Sequence, residues 1–128
     1  MITDWSVYPN FKAAEFDCKQ TGENEMEPVF MARLQALRTE FGKPIRINSG
    51  YRSPRHSIEA RKAEPGAHAS GRSCDVAVQG GDALRLIELA VRHGFTGIGV
   101  SQKGTSRFIH LDDLDHAPNR PRPWVWSY

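Results

Sequence analysis

The chain has 128 residues, a formal net charge of +2 from 17 basic and 15 acidic side chains, and a hydrophobic content of 39%. That length points to one domain, able to bury roughly 65–70% of its unfolded surface. The charge balance provides no broad field for nucleic acid, and no run approaches the ~20 apolar residues of a membrane span, so neither nucleic-acid binding nor membrane insertion is expected. Arg120 and Arg122 make the only basic tail, and the prolines around them read as an extended terminus. Met1 to Asn10 has neither a basic n-region nor an apolar h-region, so cytoplasmic synthesis without a signal peptide is expected. Cys18 and Cys74 are too few and too far apart for a disulfide framework, and read as reduced thiols with Cys74 in the core.

The first 25 residues look irregular, anchored by Trp5, Tyr8, Phe11 and Phe16, with a short helical turn over Phe11–Phe16. Phe30, Leu34, Leu37 and Phe41 then recur at helical spacing, predicting a helix over Pro28–Phe41 with Pro28 in its first turn and Gly42 ending it. A short strand follows over Ile45–Ser49. The polar stretch Gly50–Ala67 is long for a connection inside a compact domain, a length usually associated with function. Ser73–Val78 alternates, placing Cys74, Val76 and Val78 on one face and Ser73, Asp75 and Ala77 on the other. Asp82 is expected to cap a second helix over Ala83–His93, with Leu84, Ile87 and Val91 inward and Gly94 ending it. Gly97–Ser101 and Arg107–Asp112 read as a hairpin. The order predicts an α+β domain with a small, mainly antiparallel sheet and helices packed on one face.

The strand faces point to chemistry. Asp75 lies opposite the Cys74/Val76 face, and His110 and Asp112 lie opposite the Ile109/Leu111 face. If the apolar faces form one core, the three polar side chains share the other surface. Gly97 and Gly99 on the neighbouring strand have no side chains there, which predicts an open groove for substrate. His68 ends the long loop, and Gly71 lets the chain turn between it and Asp75. Two imidazoles and a carboxylate suffice for Zn²⁺ and leave a fourth position open, the pattern of catalytic zinc.

Three stretches carry a family resemblance: SGYRSP at 49–54, His68-x-x-Gly71-x-x-x-Asp75, and Phe108-Ile-His-Leu-Asp112. In this order they resemble the M15 peptidases, the zinc D-alanyl-D-alanine carboxypeptidases and their phage endolysin relatives. The likeness extends from Phe11–Phe16 to the Trp124 region. It implies a hedgehog/DD-peptidase-like fold, His68, Asp75 and His110 as zinc ligands, Arg52 as a substrate or oxyanion contact, and a peptidoglycan stem peptide as the substrate. With no signal peptide expected, it also favours a phage or prophage lysis enzyme, most simply a monomer.

The chain departs from that pattern in places. Several branches carry a general-base Glu three residues before the last ligand His, where this chain has Arg107. Asp112, sharing the His110 face, is the expected general base, with Glu64 the next candidate. Arg107 keeps a second reading open, a non-catalytic zinc-binding module that holds cell-wall peptide or a protein partner. Of the other histidines, His56 reads as a loop residue, His93 as a helix-end cation and His116 as a tail residue. Trp124 and Trp126 are expected to close a core edge.

Overall fold

The computed structural model describes residues 1–62 and 66–128. Helix α1 spans Pro28–Phe41, with Pro28 in its first turn and Gly42 in the left-handed conformation at its end, as the spacing predicts. Its apolar stripe of Phe30, Met31, Leu34, Leu37 and Phe41 is buried. Five short strands form one sheet: β1 (Arg46–Ser49), β2 (Ser73–Ala77), β3 (Gly97–Ser101), β4 (Phe108–Asp112) and β5 (Trp124–Ser127). Helix α2 (Gly80–Arg92) lies between β2 and β3 in sequence. The spatial order is β1-β2-β4-β3-β5, antiparallel throughout except for the parallel β3/β5 pair. The α+β architecture and mainly antiparallel sheet are therefore as expected.

Alternation divides the sheet into two chemistries. Cys74, Val76, Ile98, Ile109 and Leu111 are buried in one core with both helices, and Phe30 of α1 meets Phe95 edge-on at 5.7 Å. The N-terminal aromatics close the same core: Phe16 contacts Phe11 and Trp5, and Trp5 contacts Tyr8. A 3₁₀ turn at Ala13–Phe16 holds this segment, with Glu15 accepting from the Lys12 amide at 2.7 Å. Cys18 and Cys74 are both free and buried.

Three expectations need correction. The second helix starts at Gly80 with Gln79 as its cap, and Asp82 sits inside its first turn, paired with Lys43 at 3.0 Å. Its buried face is Ala83, Leu86, Leu89 and Ala90, whereas Leu84 and Val91 are exposed. Arg85, Glu88 and Arg92 share the opposite face, but the apolar arc is broad, and Leu84 and Val91 lie at its exposed edge. The tail is not merely extended, since Trp124–Ser127 adds an edge strand. No helix among the described residues is long and apolar enough to cross a membrane.

Candidate metal centre

Two rows of residues cross the polar face of the sheet. Ser49, Asp75, His110, Gly99 and Trp126 stand side by side in register, and Ser73, Asp112, Gly97 and Trp124 form the next row. His68 reaches the first row from a 3₁₀ turn at Ala67–Ser70. Gly71 ends that turn at φ +75°, a left-handed conformation that a side chain would strain. A Cβ at Gly71 would also collide with the Glu25 carbonyl oxygen, and the Gly71 carbonyl accepts from the Glu27 amide at 2.9 Å. The turn that delivers His68 is thereby pinned to the segment leading into α1.

The expected ligands converge. Asp75 Oδ1 lies 3.4 Å from His68 Nε2 and 3.1 Å from His110 Nδ1, and one donor atom from each residue falls within 4.8 Å of the others. Ligands held about 2.0–2.1 Å from a tetrahedral zinc lie about 3.3–3.4 Å apart, so this spacing suits that ion. The opposite ring nitrogens are engaged in orienting bonds. His68 Nδ1 donates to the Gly50 carbonyl at 2.8 Å, which turns Nε2 toward Asp75. His110 Nε2 donates to Asp112 Oδ2 at 2.7 Å, which turns Nδ1 the same way. Such outer bonds set the tautomer and ring angle of metal-binding histidines. Donor set and orientation both fit a divalent cation.

The electrostatics agree. Burial pushes the Asp75 carboxyl upward, but hydrogen bonds from His110 and His68 outweigh it and hold the group well below the usual carboxylate range. Burial pulls His110 downward, yet Asp112 and Asp75 outweigh it and raise its pKa. Asp112 is likewise pushed up by burial and brought down to about 2 by His110 and Arg122.

Asp112, the expected general base, is enclosed by partners of the protein's own. Its side chain is 0% exposed, and its two oxygens take 2.9 and 2.7 Å bonds from Arg122, the bond from His110 and a 3.3 Å bond from the Leu114 amide. A carboxylate so engaged orients the His110 ring. The open groove at Gly97 and Gly99 is also absent. A Cβ at Gly97 would strike the Asp112 carboxylate, and one at Gly99 would lie 2.7 Å from the Trp126 indole nitrogen. These glycines make room for the protein's own groups. Trp126 lies 5.1 Å from the His110 ring, with the Arg122 guanidinium 5.1 Å from its centre.

Arg52, the expected substrate or oxyanion contact, has partners within its own loop. Its Nη1 pairs with Glu59 at 3.3 Å, its amide donates to the His68 carbonyl at 3.0 Å, and Glu59 is nearly buried beneath Lys62 and the Gly66 amide. The guanidinium fastens the loop that carries His68. Arg107 is exposed and bonds the Gly104 carbonyl at 3.0 Å within the β3–β4 loop. Asp113 is tied to Arg72 at 2.9 Å and lies 3.4 Å from Arg33. His56 caps a turn in the long loop, His93 pairs with Glu40, and His116 accepts from the Arg122 amide. Glu64 lies outside the described residues.

Arg122 and Trp126 are the site residues that sequence reasoning missed. Their signal was the clustering of Arg, Pro and Trp in the tail, which suggested an extended end and not a strand returning to the centre.

Comparison with curated proteins found no match. The peptidase M15 family model matches residues 9–112, a span that includes both histidines and the aspartate of the converging set. The match covers most of the chain and describes a family of hydrolytic peptidases, so this chain belongs to the peptidase M15 family.

Proposed function

We propose that this chain is a zinc-dependent peptidase that hydrolyses an amide bond in peptidoglycan stem peptides, with His68, Asp75 and His110 holding the metal. The observation that supports this reading is the convergence of three donor atoms, each imidazole oriented from behind by a fixed acceptor. When bound, zinc supplies Lewis-acid polarisation of the scissile carbonyl and lowers the pKa of water. The chain's own residues do the rest. Asp112 and Arg122 hold the His110 ring, Gly50 holds the His68 ring, and Trp126 covers the His110 side against water. Arg52 keeps the His68 loop in place through Glu59.

The test is mass spectrometry of peptides released from purified cell wall by zinc-loaded protein, by protein treated with chelator, and by His68→Ala. Release by the first alone supports the reading. Release that persists with chelator, or in His68→Ala stripped of metal, would overturn it.

A second reading, a zinc-binding module without turnover, draws on two observations. The expected proton acceptor Asp112 is buried and fully engaged, and Arg107 is turned outward. Stoichiometric zinc with no product from any wall preparation would favour that reading.

A further inference from the structure

A cleft of about 540 Å³ lies beside the metal centre. One wall is Gly66 and Ala67, immediately before ligand His68, and the other includes Asn119, Arg120 and Arg122. Its size falls within the range of small-ligand sites. The far wall is a built turn, with Ala117 and Arg120 exchanging backbone bonds of 3.0 and 2.9 Å. The Arg120 side chain is braced on that turn, since Nε and Nη2 donate to the Asp115 carbonyl at 3.1 and 2.8 Å.

The two guanidiniums of this wall are both cationic but differ in the partners they meet. Arg122 is met by the Asp112 carboxylate. Arg120 has no carboxylate partner among the described residues, its bonds going only to a neutral carbonyl. The Asp115 carboxylate is 90% exposed and approaches only Arg72, at 3.9 Å. Among the described residues, the wall therefore presents one uncompensated, pre-oriented cation with Nη1 unengaged, in the same cleft as Ala67, the neighbour of ligand His68. A planar guanidinium held in this way matches a carboxylate better than a neutral amide. Arg52, the residue expected to grip a substrate carboxylate, is already paired with buried Glu59.

We infer that this cleft is a substrate subsite that receives a carboxylate-bearing arm of the peptide, with Arg120 as its specificity-determining cation. The inference rests on the peptidase reading for the identity of the ligand. A peptide bound there lies alongside Ala67, which places its neighbouring amide toward the His68 side of the cleft.

The test uses a stem peptide ending in a free carboxylate and the same peptide as its carboxamide. In NMR titrations of the wild-type zinc-loaded chain, the carboxylate peptide should shift the Arg120 Nε–H and the Gly66, Ala67 and Asn119 amides more than the carboxamide does. Arg120→Gln should weaken binding of the carboxylate peptide about tenfold, the lower end for a charge-assisted hydrogen bond, with little change for the carboxamide. Equal shifts from both peptides in the wild type, or a carboxylate preference that survives in Arg120→Gln, would overturn the subsite. The wild-type titration decides the matter even if the variant does not fold. Selective binding at Arg120 without product would sustain the subsite and count against the peptidase reading; product without selective binding would do the reverse.

Discussion

Replacing Asp112 by Asn separates two roles that the sequence leaves entangled. The carboxylate is wholly buried, and Arg122, bound to it through two nitrogens at 2.9 and 2.7 Å, is 8% exposed. Asn keeps the shape and one acceptor but removes the charge facing a buried guanidinium. Breaking such a pair costs about 3–5 kcal/mol when one partner is lost outright, and the retained acceptor favours the lower end. The titration points the same way, since a carboxyl held at about 2 against an ordinary 3.8 corresponds to stabilisation of about 2 kcal/mol at neutral pH. For a chain of this size a loss of about 3 kcal/mol lowers Tm on the order of 10 °C. Because Asp112 also fixes the His110 ring, zinc affinity should fall about 10–100-fold. The assays are thermal unfolding of the metal-free chain, chelator competition for zinc, and kcat at saturating zinc. A positioning role predicts near-normal turnover once zinc is restored. Full zinc occupancy with turnover down about 10²–10⁴-fold would instead mark Asp112 as the general base and refute the reasoning.

Other perturbations probe different parts of the structure. His68→Ala should lose stoichiometric zinc, read by elemental analysis after dialysis, because it removes one of three ligands. Zinc affinity should weaken as pH falls. His110 has a raised pKa and must surrender its Nδ1 proton to the metal, so below that pKa affinity should drop about tenfold per pH unit, checked by zinc titration across pH. Acid should also weaken the metal-free fold. The Asp112 contribution is complete above 3.8 and fades as pH falls through about 2, so the Tm of Asp112→Asn should vary less over that window than that of the wild type. Gly97→Ala should be costly, because its methyl group would displace the buried Asp112 carboxylate; an unchanged Tm and zinc affinity would contradict the packing described. Phe30→Ala, at a fully buried position against Phe95, should cost about 3–5 kcal/mol in chemical denaturation.

Legibility in the sequence followed physical distance along the chain. Helix α1 could be read residue by residue because its stripe, its Pro28 start and its Gly42 stop all agree. The shared face of Asp75 and His110 followed from strand alternation, and the structure places them as direct cross-strand neighbours. The inward face of α2 was misread because its apolar arc is broad enough to include Leu84 and Val91, and which edge of that arc is covered depends on the packing of distant elements. The enclosure of Asp112 could not be read, since it depends on Arg122, ten residues downstream in the segment that leads into β5. Nor could the fate of Gly97 and Gly99. A glycine in a strand announces that something comes close, but not whether that is a ligand or the protein itself.

The cross-sheet rows have a consequence for misfolding. Side chains alternate strictly along a strand, so a one-residue slip of β4 against β2 would turn His110 and Asp112 toward the core and force Ile109 and Leu111 into water. Such a slipped state would lose the ligand set as well as its apolar burial. A cation that binds only the correctly paired sheet stabilises that pairing by mass action and leaves every slipped alternative untouched, by about 2.7 kcal/mol at a hundredfold excess over Kd. Refolding with zinc present should therefore raise the yield of correctly paired chains as well as their final stability.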